Sequence, residues 1–369
     1  MLFVFISHFS YAYFRLNDAS LLWTLFGGIG MVASPTFMII SGTMLGYLYA
    51  LNNKNFSRIR LKLIDKGLFL VIAGHVIITL AHIPIAGGIQ KAVRWGFITD
   101  IIGFSIILGP LLIDKIDFRW RIFGSISLFV MNWILIFSWY PENIILVFLK
   151  ETFVGVFKGE LKIYEYNFPA IPWFALYFLS SCLGEKIGQS VLDQKRSNIT
   201  RLIFRLAIIS LSLALILFLF PYLLTWAVQG MTLVHLRVFF DPFQKLPPSL
   251  GYFFCYGGCG LMITFLLFKF NTIRLVSKII EYTSIIGKTS LFVFLIQYFI
   301  YFTVFPLLAL NYTLFWPVYF VLPIVLIFYV AKFWYTAGFN RYMTFGFIFT
   351  FVNNKNNLRK KSGLKVNNY

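Results

Sequence analysis

Met31-Val-Ala-Ser-Pro-Thr-Phe-Met-Ile-Ile-Ser-Gly-Thr-Met-Leu-Gly-Tyr-Leu-Tyr-Ala-Leu51 contains twenty-one residues and no charge. A run of about 20 apolar residues, rising ~1.5 Å each as a helix, crosses the ~30 Å hydrocarbon core of a bilayer. Such runs recur along the chain, continuously apolar rather than alternating, which argues for helices and against a β-barrel. Of 369 residues, 59% are hydrophobic and 12% charged, with a mean hydropathy of +0.81. A soluble domain must face water with a largely polar exterior and cannot enclose that share. The chain reads as an all-α, polytopic transmembrane helical bundle.

Working outward from residues 31–51, ten candidate spans emerge: 1–14, 31–51, 67–85, 96–113, 121–140, 168–186, 203–227, 249–268, 290–308 and 313–332. With the N-terminus inside, segments on the inner side hold 24 Lys and Arg, and those on the outer side hold 8. Cytoplasmic loops carry the excess of Lys and Arg, so this bias predicts ten spans with both termini cytoplasmic. Residues 1–350 then form one membrane domain, and 351–369 a basic, Asn-rich cytoplasmic tail expected to be disordered. The formal charge of +19 reads as a topology signal and not as a nucleic-acid surface. The first run, Leu2–Phe14, is short for a span and is not a signal peptide, having no basic n-region and no small-residue cleavage site. The expectation is that the natural start lies upstream of Met1.

Chemistry in such a chain belongs to the few polar groups inside the apolar runs. His8 sits in the first of them. A histidine titrates near neutral pH and can deprotonate a hydroxyl or amine, or it can simply hydrogen-bond a neighbouring helix. His75 reads as such a helix–helix bond, and His82 and Asp100 as anchors near the outer ends of adjacent spans. Ser41-Gly42 reads either as a polar site or as close packing of small residues. Cys182, Cys255 and Cys259 fall in apolar runs as packing residues, and no metal site is expected because Cys255 and Cys259 lack further ligands nearby. Residues 52–66 read as an inner loop alternating basic and apolar residues. Arg58, Arg60 and Lys62 there either snorkel toward anionic headgroups or form a phosphate-binding rim for a nucleotide-bearing donor. Residues 141–167 read as an interfacial helix followed by a loop. The outer segment 228–248 gathers His235, Arg237, Asp241 and Lys245, which suggests a polar acceptor on that side.

Several stretches together resemble integral-membrane acyltransferases. Phe5-Ile-Ser-His8 followed by Ala33-Ser-Pro-Thr-Phe-Met-Ile-Ile-Ser-Gly-Thr-Met-Leu-Gly46 is similar to their opening, a first helix with a polar residue and then an apolar segment ending in Ser-Gly. Phe168-Pro-Ala-Ile-Pro-Trp173 with Gly184, and Lys245-Leu-Pro-Pro-Ser-Leu-Gly-Tyr252, resemble segments of proteins related to heparan-α-glucosaminide N-acetyltransferase. Ile286-Gly-Lys-Thr-Ser-Leu-Phe-Val-Phe-Leu-Ile-Gln297 is similar to a late helix of acyltransferase family 3 and of glucan succinyltransferases, with Gln297 where many relatives have His. The Asp-x-x-Arg-Gly stretch that usually precedes the first polar residue is absent. His8 in the first helix follows the bacterial acyltransferase pattern.

The resemblance implies transfer of an acyl group, usually acetyl, from acyl-CoA to a hydroxyl or amine of an extracytoplasmic glycan or lipid-linked sugar. The expected location is the bacterial inner (plasma) membrane. Acyl-CoA would be a donor substrate, with no permanently bound cofactor, and Arg58, Arg60 and Lys62 would hold its phosphates. His8 would act as base, oriented by Asp18 or Asp100. Trp173, Asp241, Lys245 and Ser41 would bind the acceptor, with Trp173 stacking on the sugar face. The competing expectation is a transporter or flippase of a lipid-linked or small solute. No carboxylate at mid-membrane and no inverted repeat supports it.

Overall fold

The computed structural model describes residues 1–14, 20–52, 55–194, 196–227, 232–308, 313–339 and 343–346. In chain order the helices are α1 (Leu2–Phe9), α2 (Ser20–Gly30), α3 (Ala33–Leu51), α4 (Phe56–Phe69), α5 (His75–Ala86), α6 (Ile89–Ala92), α7 (Ile98–Leu112), α8 (Phe118–Ser138) and α9 (Ile144–Leu149). There follow α10 (Ala170–Leu192), α11 (Arg196–Ala227), α12 (Thr232–Phe240), α13 (Leu250–Phe270), α14 (Arg274–Lys288), α15 (Ser290–Phe299), α16 (Phe305–Leu308) and α17 (Trp316–Thr336). Four π turns extend or join them at Ser10–Phe14, Leu70–Gly74, Lys150–Val154 and Ile300–Val304. Among the described residues all regular structure is helical, and seven helices are long and apolar enough to cross a membrane.

These seven are Leu21–Leu51, Phe56–Ala86, Phe118–Ser138, Asn198–Phe220, Leu250–Phe270, Ser290–Leu308 and Trp316–Thr336. Leu2–Phe14 and Ile98–Leu112 are apolar but shorter. The candidate span 168–186 falls in α10, which is helical and deeply buried but is not one of the seven. Two segments expected to be loops are helical instead. Residues 20–30, assigned to an outer loop, form α2, which leads through Met31 and Val32 into α3. Residues 56–66, assigned to an inner loop, are the first turns of α4, because good helix formers such as Lys, Arg and Leu continue directly into the apolar run. Residues 351–369, expected to be a disordered tail, lie outside the described residues.

Helices associate here without a hydrophobic drive of their own, since lipid tails are as apolar as Leu, so close approach at small residues decides the packing. The largest such contact is α3 against α10. A Cβ at Gly42 would overlap the Tyr177 carbonyl, one at Gly46 the Ser181 carbonyl, and one at Gly184 the Thr43 carbonyl. Gly188 faces Ala50 in the same seam. Gly67 of α4 and Gly103 of α7 face each other in a second seam of the same kind. On its other side α10 meets α8, where the buried Arg121 donates to Ser181 Oγ at 3.1 Å and pairs with Glu185. A buried arginine needs this closure, because a lone charge there would be very costly.

Gly46→Val should therefore destabilise the bundle by at least about 1–3 kcal/mol, the range for overpacking a close-packed site. Gly124→Val should not, since nothing lies within 4 Å of a Cβ there. Thermal unfolding of the two variants in one detergent checks this; equal midpoints would contradict the seam.

Candidate functional site

His8 occupies the last turn of α1, and the π turn Ser10–Phe14 begins two residues later. π turns recur at functional sites because the extra residue re-aims the side chains around it. The His8 ring packs on Tyr298 at 4.5 Å and Phe302 at 5.1 Å between centroids. His82 reaches the same two rings from α5, stacking on Phe302 at 4.4 Å and lying 5.3 Å from Tyr298. Phe302 belongs to the π turn Ile300–Val304, which Thr303 fastens to α5 by donating to the Ala81 carbonyl at 2.9 Å. The Nδ1 atoms of both imidazoles are buried and make no hydrogen bond.

The two histidines line a cavity of about 230 Å³. Its floor is apolar, from Val4, Phe37, Ile98, Ile102 and Phe294, and Ser7, Ser10 and Ser34 add hydroxyls. Trp95 and Tyr166, which also line it, stack 5.2 Å apart. The segments carrying them are tied together. Gly96 N–H donates to the Tyr166 carbonyl at 2.7 Å, Glu165 N–H to the Arg94 carbonyl at 2.9 Å, and Arg94 pairs with Glu165 at 3.0 Å. Beneath them the buried Glu151 carboxylate accepts the backbone N–H groups of Lys162, Ile163 and Tyr164 at 2.7, 3.1 and 3.1 Å. Lys150 beside it donates to the Ile136 and Trp139 carbonyls, closing the C-terminal end of α8.

Lys245 enters the cavity from the segment before α13. Local chemistry fixes that segment. Ser249 Oγ accepts Tyr252 N–H at 2.8 Å as the helix cap, and Trp133 Nε1 donates to the Pro248 carbonyl at 3.1 Å. Tyr252 hydroxyl donates to the Met31 carbonyl at 3.0 Å, tying the segment to the α2–α3 junction. The Lys245 ammonium lies 5.4 Å from the Phe168 ring centroid. Burial pushes its pKa down to about 8. Among the described residues it forms no ion pair, and none of their Asp or Glu side chains lines the cavity.

The remaining expected site residues lie elsewhere. Asp100 is not a partner of His8: its Oδ2 lies 3.0 Å from His75 Nδ1 and accepts Phe97 N–H at 2.9 Å, so the carboxylate pairs α5 with α7 and caps α7. His75 thus makes the interhelical bond its sequence suggested. Asp18 lies outside the described residues. Trp173 is fully buried against Phe168, Tyr252 and Phe253 and presents no face to a sugar, because Pro169 and Pro172 start α10 inside the bundle. Asp241 shapes the turn before α13, accepting Phe243 N–H at 2.9 Å. His235 packs on Phe137, and neither it nor Asp241 lines the cavity. Ser41 is half-buried beside the Gly42 seam and does not reach the cavity either. Arg58 and Lys62 are exposed on α4, and Arg60 pairs with Asp114. Twenty-two residues separate Arg60 from His82 on the helix Phe56–Ala86, about 33 Å at the helical rise. The basic rim and the cavity therefore sit at opposite ends of the bundle.

Sequence reading singled out His8, His82 and Lys245 separately, and the fold brings them together. It missed Ser34, Trp95, Tyr166 and Tyr298. Tyr298 follows directly on Gln297 of the quoted late-helix stretch, whereas nothing in the local pattern marks Trp95. A second, larger cavity of about 770 Å³ lies among α8, α10, α11 and α13, lined almost wholly by apolar side chains. Among the described residues no three His, Cys, Asp or Glu side chains gather as a metal site. Comparisons with protein-family models, with curated proteins and with solved structures find no match to this chain.

Glu151→Ala should leave three backbone N–H groups without their acceptor and cost about 1–3 kcal/mol, the penalty for a buried unpaired polar group. Amide exchange should rise first in residues 162–166, before the helices. Unchanged exchange in that segment, with unchanged stability, would show that the carboxylate does not hold the cavity's covering segments.

Proposed function

We propose that this chain is a membrane acyltransferase that moves an acyl group, acetyl first among candidates, from acyl-CoA to a hydroxyl or amine of an extracytoplasmic glycan or lipid-linked sugar. The observation that carries the reading is the cavity of His8, His82 and Lys245 at the end of the bundle away from the basic rim. It offers an imidazole without a hydrogen-bonding partner, a second imidazole, a cation and three serine hydroxyls in an aromatic setting, which is the equipment of proton transfer to or from a hydroxyl. The resemblance of the opening, the proline-tryptophan segment and the late helix to membrane acyltransferases supports the same class.

In this reading His8 takes the proton from the acceptor oxygen or nitrogen as that atom attacks the acyl carbonyl carbon. The new bond forms as the carbon–sulfur bond breaks, and CoA leaves as thiolate. Tyr298 and Phe302, not Asp100, orient the imidazole. Lys245 holds the polar edge of the acceptor. Counting α1, α7 and α10 with the seven long apolar helices gives ten spans, and the excess of Lys and Arg then puts both termini in the cytoplasm and the cavity on the outer side. A plasma membrane of a bacterial cell, and a role in modifying envelope polysaccharide, follow from the same resemblance. Arg58 and Lys62 are exposed on α4, where the donor's phosphates would meet them; Arg60 would have to exchange Asp114 for them.

His8→Ala should lower acyl transfer by about 10²- to 10⁴-fold, the usual worth of a general base, with an unchanged melting temperature in detergent. Labelled acetyl-CoA, the purified chain in nanodiscs and glycan extracted from an envelope provide the measurement. Wild-type transfer by the variant would refute the mechanism, and solute movement without any acyl donor would replace it by transport.

A further inference from the structure

Among the described residues Lys245 is a cation without a counter-charge in its cavity. Its ammonium lines a cavity whose other polar groups are the imidazoles of His8 and His82, the hydroxyls of Ser7, Ser10 and Ser34, and the phenols of Tyr11, Tyr166 and Tyr298. Lys245 is half-buried, and its ammonium faces the space of the cavity, where an anion would meet it at a lower effective dielectric than in bulk water. The Phe168 ring face, 5.4 Å away, adds a weak cation–π contact but no counter-charge. The fold nevertheless holds Lys245 firmly in position, through the Ser249 cap and the Trp133 bond to Pro248. Four carboxylates of this end of the bundle have partners of their own: Asp241, four residues before Lys245, accepts Phe243 N–H, Glu165 pairs with Arg94, Glu151 accepts three backbone N–H groups, and Asp100 meets His75 and Phe97 N–H.

We infer that the ligand of this cavity carries a singly charged anionic group, a carboxylate, and that Lys245 is its binding partner. One ammonium matched by one carboxylate leaves the cavity neutral. A phosphate monoester, with nearly two charges, is the ligand of arginine forks or of several donors together, and among the described residues no arginine lines this cavity. The inference rests on the reading of this cavity as the reaction site, and it narrows that reading. The carboxylate belongs either to the acceptor, as in an acidic sugar, or to the acyl group, as in the half-thioester of a dicarboxylic acid. Titration supports it: with a pKa of about 8 the ammonium is charged at pH 7 and largely neutral at pH 9.5, so affinity should be lost as pH rises.

The test is binding to the purified full chain in a neutral detergent, by thermal shift at constant ionic strength. Glucuronate is compared with glucose, succinate with succinamide, and inorganic phosphate is run alongside. Glucuronate or succinate should stabilise the protein where its neutral counterpart does not, which assigns the carboxylate to acceptor or acyl group respectively. That binding should weaken about tenfold or more in Lys245→Gln, stay within a few-fold in Lys245→Arg, and weaken at least about tenfold from pH 7 to pH 9.5. Equal effects of charged and neutral probes, preference for phosphate, or wild-type carboxylate binding by Lys245→Gln would each overturn it. His8-dependent acyl transfer with no carboxylate binding would remove only this inference. Lys245-dependent carboxylate binding with no acyl transfer would remove only the proposed reaction.

Discussion

The glycine seam between α3 and α10 is the constraint on which the remaining geometry depends. In a bilayer two helices gain little from hiding apolar surface, so their affinity comes from backbone approach and the contacts that approach allows. Gly42, Gly46 and Gly184 permit it by omitting the atom that would strike the opposing carbonyl. Once α3 and α10 are joined, α10 carries Ser181 and Glu185 to Arg121 of α8, and a buried charge is neutralised only if that register is right. At its other end α3 holds Ser34 at the cavity and follows α2, whose Gly30 packs directly on Ser7 of α1. The position of His8 is thus set at one remove by glycines far along the chain.

The parts of this arrangement that were legible in the sequence are those that composition and period decide. Uncharged runs gave the helical class and nearly every apolar helix, because their apolar character is a local property. The interface pairs were not legible. Ser41-Gly42 showed that a small residue was present, but not that its partner was the Tyr177 carbonyl, which is a fact of tertiary register. The same holds for charges. Asp100 and His82 were read together because they flank one short loop, yet His75, about two helical turns further from that loop, meets the carboxylate. Lys245 looked like one of four polar groups in an outer segment, and only the proline-serine-glycine geometry before α13 directs it into the cavity while leaving His235 and Asp241 outside. Helices α2 and α4 read as loops in the sequence because polar residues interrupt their apolar runs, although lysine, arginine and serine at a helix end cost little.

The aromatic residues play a different part from the glycines. Tyr298 and Phe302 contact both imidazoles, and Trp95 and Tyr166 stack beside them. Stiff rings with few rotamers hold a shape at little entropic cost, and they do so without offering His8 a hydrogen bond that would compete with a substrate. A carboxylate at the same place would fix the imidazole more firmly but would also neutralise Lys245. The pairing of Asp100 with His75, away from the cavity, keeps these two demands apart.

Separation of the two ends places a condition on any acyl transfer. The basic turns of α4 and the imidazole of His82 lie on one helix about 33 Å apart, close to the full ~30 Å hydrocarbon thickness. A donor whose phosphates rest on Arg58 and Lys62 must extend its acyl end along nearly that whole path to reach His8, or must seat its phosphates deeper than this rim. The first course demands a continuous passage beside α5 and α7, the helices that Asp100 and His75 join across the bundle. Rupture of that pair would change the polar lining of such a passage without touching His8. In the proposed reaction the His75–Asp100 pair, which joins α5 to α7, would stand beside the donor's path, between the basic end and the cavity of His8.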